Sequence, residues 1–199
     1  MKAYYEKRAP EYDDWYLGTG QYALRDRPGW HEEMAALHRA LESLPPARTL
    51  DVACGTGFLT RHLPGEVTGL DQSPAMLAIA ADQAPHASFV RGDALPLPFP
   101  DGSFERLFTG HFYGHLETED RLRFLAEARR VAPELVVCDS ALREDVEPEE
   151  WQKRQVRDGS RFVVYKRYFT GEGLAAELGG GHVIHDGRYF VAVQLRSTE

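Results

Sequence analysis

Cysteine is scarce: the 199 residues hold two, Cys54 and Cys138. Two are too few for a disulfide scaffold, and they stand too far apart for a Cys-x-x-Cys motif. Both close apolar, strand-like segments, where a cysteine behaves as a small hydrophobe, so burial is their expected role. Long apolar runs are missing as well. Nothing approaches the roughly 18 apolar residues of a membrane span. The N-terminus, Met1-Lys2-Ala3-Tyr4-Tyr5-Glu6-Lys7-Arg8, has no signal-peptide core, so a cytoplasmic protein with no membrane partner is expected. Positive charge is outnumbered, 23 Lys+Arg against 31 Asp+Glu, for a formal net charge of −8. Such a chain repels a phosphate backbone at long range, and no nucleic-acid partner is expected. One local exception is the basic cluster Lys153, Arg154, Arg157 and Arg161. Internal repeats and low-complexity tracts are absent.

What remains is a globular composition, 43% hydrophobic and 11% aromatic, in a length suited to one domain over residues 1–199. Aromatics crowd the start of the chain, and Tyr5, Ala9, Tyr12 and Tyr16 fall on one face of a helix. A second helix spans about Trp30 to Leu44 and stops at Pro45-Pro46. Strand candidates follow at Thr49–Cys54, Val67–Asp71, Ser88–Arg91, Glu105–Thr109 and Glu134–Asp139, with helices at Phe58–His62, Ala75–Gln83 and Glu119–Val131 between them. Alternation of this kind needs crossover connections, which make the strands parallel and put helices on both faces. Beyond Asp139 the pattern changes. A helix is expected around Trp151, then an apolar run at Phe162–Tyr165 and a helix over Glu172–Leu178. Two last strands, His182–His185 and Tyr189–Leu195, flank Asp186-Gly187, the turn chemistry of an antiparallel hairpin. The fold class is α/β, a Rossmann-like doubly wound sheet, mostly parallel with a C-terminal antiparallel hairpin.

Chemistry begins at Asp51-Val52-Ala53-Cys54-Gly55-Thr56-Gly57-Phe58. A buried strand runs into a glycine turn and then a helix, so the backbone at Gly55 and Gly57 approaches a ligand closely. The next strand ends in Asp71, where an acid is placed to accept bonds from both ribose hydroxyls of a nucleoside cofactor. An ordinary strand-to-helix turn is the alternative.

These residues closely resemble the class I S-adenosylmethionine-dependent methyltransferases. Further segments match in order over nearly the whole chain: Gly92-Asp93-Ala94, Leu97-Pro98-Phe99, Asp101-Gly102-Ser103-Phe104, and Gly110 to Leu116. The resemblance implies S-adenosylmethionine as cofactor, held by Asp51, Ala53, Gly55, Gly57, Asp71, Gln72, Met76, Asp93, Ala94 and Gly110, with Tyr12 and Tyr16 from the covering N-terminal segment. It further implies a helical lid at residues 1–45 and a substrate-side insertion at 143–170. A small-molecule methyl acceptor is expected, with His115, Tyr113, Trp151 and Tyr168 as substrate candidates and His111 as the catalytic candidate. No metal is expected, because His111, His115 and Glu117 lack a further convergent ligand. The chain departs from the family in having no Pro-Gly-Gly turn near Pro133 and in carrying Glu105 for the usual aspartate.

Two other readings stay open. A nicotinamide oxidoreductase begins with the same elements, but Thr60 stands where its third glycine belongs, and this length can hardly supply the substrate domain it needs. A cofactor-binding protein of the same fold without activity would carry the same motifs. Acceptor and oligomeric state are left open by the sequence.

Overall fold

In the computed structural model, which describes residues 2–196, the β strands are buried where the sequence is most apolar. The N-terminal segment contains α1 (Lys2–Arg8) and the short α2 (Asp14–Leu17), and α3 (Trp30–Glu42) precedes the sheet. Strands β1 (Ala47–Val52), β2 (Gly65–Asp71) and β3 (Ser88–Arg91) follow, with α4 (Pro74–Gln83) between the last two. Then come β4 (Arg106–Gly110), α5 (Thr118–Val131), β5 (Glu134–Ser140), the hairpin β6 (Glu149–Gln155) and β7 (Arg161–Arg167), α6 (Gly171–Leu178), β8 (His182–Asp186) and β9 (Phe190–Arg196).

The main sheet has seven strands in the order β3-β2-β1-β4-β5-β9-β8. The first five are parallel, β9 runs antiparallel to β5, and β8 runs antiparallel to β9. Side chains alternate between faces, so Leu135 and Val137 of β5 join one core while Val136 and Cys138 join the other. The first core receives α5 through Phe124, Leu125, Ala128 and Val131, the apolar stripe of a helix, and α6 through Leu174 and Leu178. The second receives α3 through Met34, Leu37 and Leu41, together with Tyr16 and Trp30. Both cysteines are buried and free. Local chemistry sets the helix ends. Ser73 caps α4 by accepting from the Met76 N–H at 3.1 Å, with Pro74 in the first turn. Thr170 caps α6, and Gly179, left-handed at φ 91°, closes it.

Three expectations need correction. The segment around Trp151 is strand β6, paired in register with β7 from Glu149↔Arg167 to Gln155↔Arg161. The aromatic N-terminal stretch is not one helix; the chain turns through a 3-10 segment at Ala9–Glu11 and ends α2 at a left-handed Gly18. Phe58–His62 yields only a 3-10 turn, Thr60–His62.

Candidate active site

Each parallel strand delivers functional groups at its C-terminal end: β1 runs into the glycine turn, β2 ends on Asp71, β3 precedes Asp93, β4 precedes His111, and β5 ends at Asp139-Ser140. β1 pairs with both β2 and β4, so the chain reverses its winding direction there, and open α/β sheets collect ligands at such a switch.

A cavity of about 500 Å³ opens at this edge. Its walls include Ala53, Gly55, Asp71, Gln72 and Met76, and further round Asp93, Ala94, Gly110 and Tyr12. The Asp71 carboxylate anchors the floor: it accepts from the Gly55 N–H at 3.0 Å and from the Ser73 N–H at 2.9 Å. Burial raises its pKa, and these backbone donors oppose that rise. Gly55 is left-handed, φ 56°, and a Cβ there would stand 3.6 Å from the Tyr12 ring. Asp93 is exposed at the rim and accepts from the Ala94 N–H at 3.1 Å.

Three cofactor candidates lie outside this lining. Gly57 faces α4, where a Cβ would meet the Ala80 Cα and Cβ at 3.2 Å, so its glycine serves helix-to-turn packing. Asp51 is buried behind the turn and accepts from the Thr60 hydroxyl at 2.6 Å. Burial pushes its carboxyl up to about 7 against that bond. Tyr16 is stacked on Phe58 with ring centroids 4.1 Å apart.

A second cavity, about 590 Å³, lies between the N-terminal segment and the β6–β7 hairpin. His115, Trp151 and Tyr168 line it. Tyr113 does not: it is fully buried in the main core, and its hydroxyl donates to Glu177 at 3.0 Å. Tyr5, Tyr12 and His111 border both cavities.

His111 sits in left-handed backbone, φ 56°, and Ala53 is the other non-glycine residue with positive φ among those described. Both line the first cavity. Strain of this kind persists only where the surroundings enforce it and clusters at functional sites. The His111 Nδ1 lies 3.5 Å from the Ser140 hydroxyl and 3.8 Å from an Asp139 oxygen. Its Nε2 is buried without a hydrogen-bond partner. Burial lowers the His111 pKa, and Asp139 opposes this. Asp139 is itself fully buried; although burial alone would raise its pKa, the Lys166 ammonium at 2.5 Å and His111 hold it well below the usual carboxylate range. The N–H groups of Gly114 and Ser140 each donate to it at 2.7 Å. His115 donates from Nδ1 to the Tyr165 carbonyl at 2.6 Å, and burial drives its pKa well down, aided by Lys166 and Arg154.

Asp139 and Lys166 escaped the sequence reading. An acid closing a buried strand and a lysine continuing an apolar run were the available signals. Among the described residues, no three His, Cys, Asp or Glu side chains converge as a metal site, and no helix is long and apolar enough to cross a membrane.

A family profile described as methyltransferase domain matches residues 50–134, from within β1 to the start of β5. The solved DhpI-SAM-HEP complex superposes with a TM-score of 0.76 at 26% identity, covering 98% of this chain and 94% of that one. The chain is similar to the class I S-adenosylmethionine-dependent methyltransferases, in sequence over the span of that profile and in fold over nearly its whole length. Among curated relatives, a demethylmenaquinone methyltransferase of Thermotoga maritima is 42% identical over 91 residues, 43% of this chain and 39% of that protein. A 2-phytyl-1,4-naphtoquinone methyltransferase of Trichormus variabilis is 34% identical over 146 residues, 66% of this chain and 59% of that protein. The chain thus spans about half the length of the curated relatives it matches. The methyltransferase profile takes in most of the first cavity, whereas the second is lined mainly by residues outside it.

Proposed function

We propose that the chain transfers a methyl group from S-adenosylmethionine to a small-molecule acceptor, with the donor in the first cavity and the acceptor in the second. The shared wall carries this reading, because ligands in the two cavities would meet at His111. The first cavity suits the donor: Gly55 without a Cβ in the turn, an anchored carboxylate at Asp71, a second acid at Asp93, and apolar lining from Leu70 and Met76. A nicotinamide reading lacks such support, since Thr60 is committed to Asp51 where the third glycine of that fingerprint belongs.

S-adenosylmethionine supplies a methyl on a sulfonium; the acceptor takes the carbon while sulfur keeps the electrons of the broken bond. The protein's main task is then alignment, for which proximity and orientation supply on the order of 7–11 kcal/mol. For a hydroxyl or amine acceptor, His111 takes the proton at Nε2. Asp139, with an oxygen 3.8 Å from Nδ1, stabilises the imidazolium once formed. A lowered pKa keeps the ring neutral and able to act as base. Lys166 positions Asp139. Residues 1–45 would cover the donor, and 143–170 would wall the acceptor.

Calorimetry with S-adenosylmethionine and with NAD, followed by a metabolite screen for S-adenosylhomocysteine release, tests this. Binding of the first cofactor alone and turnover with one acceptor are expected. Absence of S-adenosylmethionine binding overturns the proposal.

A further inference from the structure

We infer that the second cavity recognises an anion, so that the acceptor carries a carboxylate or a phospho-oxyanion; this rests on the reading of that cavity as the acceptor site. In a chain of net charge −8, seven Arg and Lys residues border the cavity against one acid, Glu150. Two of the seven are already neutralised: Lys166 by Asp139 and Arg143 by Asp145. Arg8, Arg27 and Arg154 have no carboxylate within ion-pair distance among the described residues; their side-chain hydrogen bonds go only to uncharged oxygens.

Arg8 is the decisive residue. It is only 7% exposed, and its guanidinium is held by the hydroxyls of Tyr4 at 2.6 Å and Tyr22 at 3.2 Å, while its buried Nε has no partner. Arg154 donates to the same Tyr4 hydroxyl at 3.4 Å and twice to the Gln152 carbonyl oxygen, at 3.0 and 2.7 Å. Two guanidiniums are thus gathered on one tyrosine without a counter-ion. Burying an unpaired cation is costly, and holding a second beside it adds repulsion, so the arrangement is stabilised by an incoming anion. Guanidinium forks match carboxylate and phosphate oxygens bidentately. The volume, about 590 Å³, is that of a small-molecule site.

The test titrates the full chain with inorganic phosphate and with acetate, with and without saturating S-adenosylhomocysteine, by calorimetry and thermal shift. At least one anion is expected to bind saturably. Arg154→Gln and Arg27→Gln should each weaken that binding at least tenfold while leaving S-adenosylhomocysteine affinity unchanged. Arg39→Gln, on the exposed side of α3, should change neither. A response to phosphate alone identifies a phospho-oxyanion acceptor, and one to acetate alone a carboxylate. If S-adenosylhomocysteine fails to bind, the cofactor reading falls while the anion titration still decides the pocket. If neither anion binds saturably into the tens of millimolar, or if both arginine variants fold and bind the anion as the wild type does, the anion pocket is overturned.

Discussion

At the residue scale, Asp71, Asp51 and His111 each carry a local role that the sequence alone does not show. Asp71, expected as a ribose ligand, ties down the Gly55 and Ser73 N–H groups. Removing it therefore strands two buried donors, and Asp71→Ala should lower stability by about 1–3 kcal/mol in urea unfolding as well as weaken S-adenosylmethionine binding. Unaltered affinity in a folded variant would remove Asp71 from the donor site. Asp51, expected at the cofactor, faces Thr60 inside the protein, with its other oxygen buried and unpartnered. Its folded pKa of about 7 lies above the unfolded value, so it costs stability that is absent below about pH 4 and complete above pH 7. Asp51→Asn should thus gain stability with rising pH relative to wild type, by up to about 4 kcal/mol at pH 8. A pH-independent difference between the two would contradict this. His111 has the opposite sign. Its folded pKa is depressed, so the neutral ring is favoured by folding, and the stabilising neutral form is lost as pH falls below the ordinary histidine range. The same depression should hold the acid limb of kcat below the ordinary histidine pKa, and His111→Ala should lower kcat by roughly 10²–10⁴ for a hydroxyl or amine acceptor. His115→Ala should retain that limb.

At the scale of elements, the parallel half of the sheet was readable because its strands are short runs bounded by turns, with β4 and β5 buried nearly throughout. Ser88–Arg91 matches the observed β3, and the C-terminal hairpin was announced by Asp186-Gly187. Asp158-Gly159 is the same signal, and it lies in the turn of the β6–β7 hairpin that was expected to hold a helix. The difference is the face. Glu150, Gln152 and Arg154, the less exposed residues of β6, are polar because they border a polar cavity, so no apolar alternation marks the strand. The N-terminal segment misled in the reverse way: its aromatics have helical spacing, but they pack into a core and two cavity walls around a broken backbone. The hairpin is fastened to the sheet by the buried Lys166–Asp139 pair, reinforced by the Gly114 N–H, together with the bond from His115 to the Tyr165 carbonyl. Lys166→Met leaves the Asp139 charge uncompensated and should cost about 3–5 kcal/mol in urea unfolding. Cleavage near Gly159 by a protease should quicken in parallel. A variant with unchanged stability would mean that the hairpin is held by the apolar contacts of Tyr4, Val156 and Val164 instead.

At the scale of the whole molecule, two cavities are separated by a wall that belongs to the N-terminal segment and to the loop after β4. Tyr5 and Tyr12 contribute from one side and His111 from the other. Filling the first cavity therefore bears on the shape of the second, because the same three rings border both. The N-terminal segment is fastened to three parts of the chain: Glu6 to Ser73, Asp13 to Thr56 and Gln83, and Glu11 to the Arg157 N–H beyond β6. Its short helices are too brief to be stable alone, so its order depends on those contacts. Binding S-adenosylhomocysteine should accordingly slow amide exchange over residues 4–17 and 111–115 together, while β8 and β9, at the far edge of the sheet, keep their rates. Protection confined to the glycine turn and Asp71 would show that the wall does not couple the cavities. The acceptor would then meet a pocket already formed, and its affinity would be the same with and without the donor. Coupling, in contrast, requires each ligand to change the affinity of the other by the same factor, which the paired titrations of donor product and anion measure directly.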